Sequence, residues 1–245
     1  MTDILFISDL HLDEEQPAIT RGLLAFLQRE APRARALYVL GDLFEAWVGD
    51  DHETALTREV IAAFRAFANN GERGLYFMHG NRDFMLGDAF AAQTGGQLLA
   101  ENTVIDLHGT RAVLAHGDGL CTDDTEYQKF RAMVRNPLWL ANARAIPIEQ
   151  RLGMAAKLRS ESKMRNANKA DNIMDVNADA VAALLRETQA DALIHGHTHR
   201  PAVHSVHLGN REAFRYVLGD WRPDRGWCLR AAAGGNAPTL ESFSF

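Results

Sequence analysis

Cysteine is scarce in this sequence: Cys121 and Cys228 are the only two, with no CxxC or other metal-type spacing. That excludes a disulfide framework and a thiolate zinc site, and two free thiols in a reducing compartment are expected. No stretch approaches the roughly 20 apolar residues of a membrane-spanning helix. Met1 to Ile7 contains no basic region followed by a long apolar run, so no signal peptide is expected and the chain is placed in the cytoplasm. Positive charge is not in excess either. The net charge of −6 gives no general argument for nucleic-acid binding, and nucleic acid is not expected as a partner. Internal repeats, low-complexity tracts and linkers are also missing.

What is present is a 245-residue chain, 47% hydrophobic, able to bury a core as one large domain. Its apolar residues come in short β-prone runs, and five of these end in Asp, Asn or His. Ile4 to Ile7 leads into Ser8-Asp9-Leu10-His11, and Ala36 to Leu40 into Gly41-Asp42. Leu75 to Met78 leads into His79-Gly80-Asn81-Arg82-Asp83, and Ala112 to Ala115 into His116-Gly117-Asp118. Ala192 to Ile194 leads into His195-Gly196-His197-Thr198-His199. Open α/β folds place their sites at such carboxyl ends of strands.

Helices are predicted over Pro17–Arg29, Glu53–Ala68 and Phe84–Gln93, alternating with the first strands. The His108-Gly109-Thr110 turn then predicts a hairpin. From Thr125 to Lys169 several helices are expected, broken at Pro137 and Pro147, followed by a helix over Asn177–Thr188. Antiparallel strands are predicted at Ala202–His207, Ala213–Leu218 and Trp227–Ala232. The fold class is thus mixed α/β, a single domain over residues 1–245 with a helical cap insertion at about 125–170. The insertion is basic: from Lys129 to Lys169 ten Lys and Arg face only Glu149 and Glu161, so that stretch carries +8 and the rest of the chain −14.

Asp9 and His11 are two apart, as are His197 and His199, which on an extended segment puts both side chains of each pair on one face. Carboxylate, imidazole and amide groups suit Mn²⁺, Fe²⁺ or Zn²⁺ better than Ca²⁺. Asp42 reads as a carboxylate shared by two metal ions. Two such ions about 3.5–4 Å apart would activate a water and neutralise a phosphoryl group. His52, His79, His195, His204 and His207 read as structural or exposed, and Asp118 and His108, taken singly, as turn residues.

Asp-x-His, Gly-Asp, Gly-Asn-Arg-Asp, His-Gly-Asp and Gly-His-Thr-His, in that order from Asp9 to His199, resemble the calcineurin-like metallophosphoesterase family. The resemblance implies two packed mixed β-sheets flanked by helices. It implies one metal on Asp9, His11, Asp42 and His199, and another on Asp42, Asn81, His116 and His197. The family usually has His after the Asn, as general acid; here that position is Arg82. The departure fits a phosphoanhydride, whose departing phosphate has a second pKa of about 6 and hardly needs a proton. Arg82 would instead stabilise charge on the phosphoryl oxygens, so Asn81, Arg82 and His116 are the expected catalytic residues.

Phe44 to Asp51, Leu120 to Asp124, Ile173 to Asn177 and His195 to Pro201 narrow the resemblance to the branch of that family acting in bacterial lipid A biosynthesis. It implies hydrolysis of the pyrophosphate of UDP-2,3-diacylglucosamine by attack of a metal-bound hydroxide on the α-phosphorus, with two Mn²⁺ per chain. Asp124, Ser162, Asn166 and Lys169 would join Asn81, Arg82 and His197 in binding the lipid-linked nucleotide sugar. The anionic inner-membrane surface would be a peripheral partner, with no obligatory protein partner. The residues agree in kind: Phe130, Met133, Leu138, Trp139, Leu140 and Leu158 supply apolar faces among the basic ones, with Trp139 and Leu140 the first candidates for lipid contact. Two alternatives remain, a related hydrolase of dinucleoside polyphosphates or cyclic nucleotides, and a lipid-binding module with a dead site.

Overall fold

The computed structural model describes residues 3–166, 175–234 and 236–245. One sheet is built from β1 (Asp3–Ile7), β2 (Ala34–Leu40), β3 (Gly74–Met78), β4 (Gln97–Leu98), β10 (Arg225–Ala231) and β11 (Thr239–Ser244), in the order β11-β10-β1-β2-β3-β4. The other contains β5 (Thr103–Leu107), β6 (Thr110–Leu114), β7 (Ala192–His195), β8 (Ala202–His207) and β9 (Glu212–Val217), in the order β5-β6-β7-β9-β8. Strands β1 to β4 are parallel, as are β6, β7 and β9, and antiparallel strands complete both sheets. The helices are α1 (Pro17–Glu30), α2 (Ala55–Ala68), α3 (Asp88–Thr94), α4 (Thr125–Val134), α5 (Pro137–Arg144), α6 (Ile148–Asn166) and α7 (Ala178–Glu187).

The apolar runs of the central strands are continuous because both faces are buried. Ile4, Phe6, Leu40, Met78, Leu114 and Ile194 meet between the two sheets. Their neighbours Leu5, Ile7, Leu37, Val39 and Phe77 point the other way, onto α1 to α3, while Val113 and Leu193 pack under α7. Phe6, Tyr38 and Tyr76 stack across β1, β2 and β3 on the inter-sheet face, with ring centroids 5.0 and 4.6 Å apart. Parallel pairing then brings the ends of β1, β2 and β3 to one edge of their sheet, and those of β6 and β7 to one edge of theirs.

Local chemistry accounts for the element ends. Pro17 opens α1, Thr54 and Thr57 form a capping box on α2, and Asn177 caps α7. His108 and Gly109 both take positive φ (53° and 93°), which makes the β5–β6 connection a two-residue primed turn. The helix predicted from Phe84 starts only at Asp88. Asp50, distant in sequence, accepts hydrogen bonds from Gly87 N and Phe90 N and so caps α3 from outside. Strands β4 and β11 were not foreseen. β4 has two residues, and β11 is an edge strand whose buried-side residues, Leu240 and Phe243, fall on opposite faces and break the alternation.

Helices α4 to α6 break at Pro137 and Pro147 as expected. Much of the segment's positive charge turns inward. Asp118, fully buried after β6, accepts from Tyr127 Oη (2.7 Å) and Arg131 Nε (2.9 Å), with Arg135 Nη2 3.7 Å away. Arg131 also pairs with Glu101. Arg151 is buried and fastens the start of α6 to Asp51 and to the carbonyl of Val48. Trp139 and Leu140 pack partly buried against the main core, leaving Met133, Leu138, Leu152 and Met154 as the exposed apolar residues of the segment. Asp118 is therefore a structural anchor and more than a turn residue.

Burial alone would raise the Asp118 pKa, but His116, Arg131, His197 and Arg135 hold it well below the carboxylate range. A depressed carboxyl stabilises above its unfolded pKa of about 3.9 and loses that stabilisation as pH falls. Asp118→Asn should thus cost about 3 kcal/mol at neutral pH. The gap to wild type should shrink between about pH 5 and about pH 2. Urea unfolding across that range checks this; a gap independent of pH would show that the charge on Asp118 does not anchor the segment.

Candidate metal centre

The strand exits are zipped to one another through backbone. Asp9 N donates to Gly41 O (3.2 Å), His11 N to Asp42 O (3.0 Å), and Gly196 N to His116 O (2.8 Å). Asp9, His11, Asp42, His197 and His199 all take left-handed backbone, with φ from 51° to 67°. Such conformations cost about 1 kcal/mol or more for residues other than glycine, and they concentrate at functional sites. The side chains of Asp9 and His11, and of His197 and His199, thus converge through tight turns, and the extended segment inferred from the two-residue spacing is corrected. Gly80 carries no Cβ for a spatial reason: one would stand 2.1 Å from Asp42 Oδ1. Asp83, also fully buried, accepts from Gly80 N (2.7 Å), Leu43 N (2.7 Å) and Asp42 N (3.3 Å), and so locks the β2 and β3 exits together.

Two tight groups of possible ligands result, Asp9 with His11 and His199, and Asp9 with Asp42 and His116. The oxygens of Asp42 face different histidines: Oδ2 lies 3.9 Å from His11 Nε2, and Oδ1 lies 3.7 Å from His116 Nε2. Asn81 Oδ1 is 3.0 Å from His116 Nε2. His197 stands edge-on to His116, centroids 5.1 Å apart, and its backbone N–H donates to both Asp9 oxygens. It lies outside both tight groups. His116 Nδ1 is 2.8 Å from Leu40 O, which assigns its proton to that nitrogen and leaves Nε2 as a lone pair facing Asp42 and Asn81.

Electrostatics favour a cation here. Burial pushes the Asp42 pKa up, against the opposing pull of His116 and His11. Burial acts likewise on Asp9, but a hydrogen bond from His199 and the charges of nearby histidines hold it below the usual range. Burial opposes protonation of His11, yet Glu45, Asp42 and Asp9 together raise its pKa to about 9. His197, desolvated and beside His116, falls to about 3 and stays a neutral donor. Buried carboxylates thus draw positive charge onto the imidazoles, and divalent ions would replace those protons. The donor set is oxygen and imidazole nitrogen, and it fits them. Both cysteines are buried, with burial raising their thiol pKa values.

The profile of calcineurin-like phosphoesterases matches residues 2–201. The chain belongs to the calcineurin-like phosphoesterase family. Several relatives are named UDP-2,3-diacylglucosamine hydrolase. That of Chromohalobacter salexigens is 53% identical over 98% of this chain and 97% of its own length. That of Serratia proteamaculans is 51% identical over 98% and 99%, and that of Escherichia coli O7:K1 is 52% identical over 90% and 91%.

In this phosphoesterase a cleft runs from the strand tips to the underside of α4 to α6. Trp47, Val48, Phe84, Phe130, Trp139 and Leu158 contribute to its apolar wall, and its polar lining includes Glu45, Asn81, Arg82, Arg159 and Ser162 as well as Glu126 and Glu161. Arg82 does not pair with Asp83, whose oxygens are taken by amides; its Nε is buried without a hydrogen-bond partner among the described residues. Asp124 caps α4 by accepting from Tyr127 N (3.1 Å). Lys169 and the side chain of Asn166 lie outside the described residues. Three residues at the site went unnoticed in the sequence. Tyr127 stacks on His197 at 6.2 Å. Glu45 lies beside His11. Asp83 clamps two exits. Glu45 and Asp83 sit within motifs already picked out, but neither has a ligand's spacing, and Tyr127 had no signal at all.

Asp42→Asn keeps the side chain's shape and tolerates left-handed backbone. It removes the charge between the two histidines. Mn²⁺ affinity should fall at least about tenfold with the circular dichroism spectrum unchanged. Wild-type affinity in a titration of free Mn²⁺ would exclude Asp42 from the ligand set.

Proposed function

We propose that this chain hydrolyses the pyrophosphate bond of UDP-2,3-diacylglucosamine to UMP and 2,3-diacylglucosamine 1-phosphate, a step of lipid A biosynthesis. The observation that carries the reading is the continuity of an apolar cleft with the metal-ligand cluster through Asn81 and Arg82. A soluble nucleotide needs no apolar wall beside its phosphates, whereas a diacylated sugar does. The names of relatives about half identical to the chain along nearly all of its length support the same substrate.

The 245 residues would work as one domain, with residues 125–170 as a cap. Asp9, His11, Asp42 and His199 would hold one Mn²⁺ and Asp42, Asn81, His116 and His197 a second; together the ions would supply Lewis acidity and a water reactive at neutral pH. The backbone holds Asp42 between His11 and His116, as a shared carboxylate requires. Arg82, with a donor still unused, would grip the non-bridging oxygens of the diphosphate and stabilise charge growing there. The departing sugar phosphate leaves without a general acid, since its second pKa is about 6. The apolar wall would take acyl chains, each buried CH₂ contributing about 0.8 kcal/mol. Asp124, Ser162, Asn166 and Lys169 would complete the grip on the headgroup.

Among the described residues no helix is long and apolar enough to cross a membrane. The cap would instead rest on the anionic cytoplasmic face of the inner membrane through Leu138, Met133 and Leu152, with Lys129, Arg144 and Lys157 exposed in the same segment. With Arg131, Arg135 and Arg151 turned inward and Arg159 paired with Glu45 at the cleft, the charge offered to the membrane is smaller than the segment's +8.

Hydrolysis in ¹⁸O-water should place the label in UMP, and removing both acyl chains should abolish most of the turnover. Label in the sugar phosphate would exclude attack on the α-phosphorus, and equal turnover of the deacylated substrate would point to a soluble nucleotide. Leu138→Glu should weaken binding to phosphatidylglycerol vesicles about tenfold while hydrolysis in detergent persists. Unchanged vesicle binding would remove this face from the membrane contact.

A further inference from the structure

Glu45 touches both the ligand cluster and the cap. Its backbone is fixed at the β2 exit, where Glu45 N donates to Leu12 O (3.1 Å) beside a parallel bridge between Leu12 and Phe44. Its two carboxylate oxygens are divided between two tasks. Oε2 lies 3.0 Å from His11 Nδ1. Oε1 lies 2.7 Å from Arg159 Nη2 on α6 and 3.8 Å from Arg82 Nη1. The other nitrogen of His11, Nε2, faces Asp42 and His199 at 3.9 and 3.3 Å, which is the direction a metal ligand must face. Nδ1 must then carry the hydrogen, and the carboxylate oxygen that faces it is that of Glu45. Arg151 ties the start of α6 to Asp51, whereas Arg159 lies two turns further along, where the helix overhangs the cleft.

We propose that Glu45 is a positioning residue that couples the cap to the metal centre. One oxygen sets the tautomer and ring orientation of His11, and the other holds Arg159, and with it α6, over the cleft. The inference deepens the proposed hydrolase reading and rests on it for the substrate. It gives that reading an order: cations that fix His11 also fix the acceptor for Arg159, so occupancy of the metal centre and seating of the cap favour each other.

Titration of free Mn²⁺ by electron paramagnetic resonance tests the first half without substrate. Glu45→Ala should bind Mn²⁺ about 10- to 100-fold more weakly, with an unchanged circular dichroism spectrum. At saturating Mn²⁺, Glu45→Ala and Arg159→Ala should each raise KM for the diacylated UDP-sugar more than they lower kcat. The double variant should be no worse than the worse single one, because both remove one link. Mn²⁺ affinity within about twofold of wild type would overturn the His11 half, and KM effects that multiply would overturn the cap half. Should Glu45→Ala fail to fold, Glu45→Gln serves. Its one carbonyl oxygen can accept from His11 or from Arg159 but not from both, so one of the two readouts must move by about tenfold. If neither moves, the proposal fails. A wild-type protein that binds Mn²⁺ but leaves the diacylated UDP-sugar intact would strike the proposed substrate and leave the titration standing.

Discussion

Asp9 and Asp42 are carboxylates withdrawn from water at the tips of adjacent parallel strands, and a buried anion must be compensated. Much of the surrounding structure answers that need. Ser8 Oγ and the amide of His197 donate to Asp9, and the amide of Arg82 donates to Asp42. His11 from the exit of β1 itself and His116, His197 and His199 from the exits of β6 and β7 complete the shell. To aim so many groups at one point, the chain accepts left-handed backbone at five of the seven residues concerned. A site built for neutral ligands would not need that strain, since hydroxyls and amides could satisfy the same space.

The cap obeys the same rule at a second place. Asp118, buried beyond the β6 exit, gathers Tyr127, Arg131 and Arg135 from α4, while Asp51 takes Arg151 from α6. Much of what looks in the sequence like a basic surface is a set of fasteners. Guanidinium groups suit this role, because a planar fork can meet a carboxylate and a carbonyl at once, as Arg151 does with Asp51 and Val48. The lysines of the segment make no such buried contact among the described residues, in keeping with their strongly hydrated ammonium groups.

The strand tips were legible because a buried strand and a polar turn are both local signals, and five of them recur in one chain. The order of strands and helices followed from the same alternation, whereas the two packed sheets were implied only by the family resemblance. What was illegible depended on distant partners. The start of α3 is set by Asp50, some 37 residues earlier. Leu140 looks free in the sequence, yet it packs partly against the main core, and Trp139, set beside Phe84, shares that packing while keeping a place on the cleft wall. The two-residue spacing of Asp9 and His11 suggested an extended segment, and only the zipping of two exits reveals the left-handed turns that bring the pair inward. Glu45 and Tyr127 matter through what they lie against, which no spacing encodes.

The stacked rings of Phe6, Tyr38 and Tyr76 do more than fill the space between sheets. They pair residue with residue across β1, β2 and β3, the strands whose tips carry Asp9, Asp42 and Asn81. A slip of one residue would move a tip by about 3.3 Å. That is close to the separation of about 3.5–4 Å between paired metal ions in dinuclear sites. It would also turn every ring to the opposite face of its sheet. The aromatic column is in effect a ruler laid in the core, and the tolerance to which it holds the strands becomes the tolerance of the site at their ends.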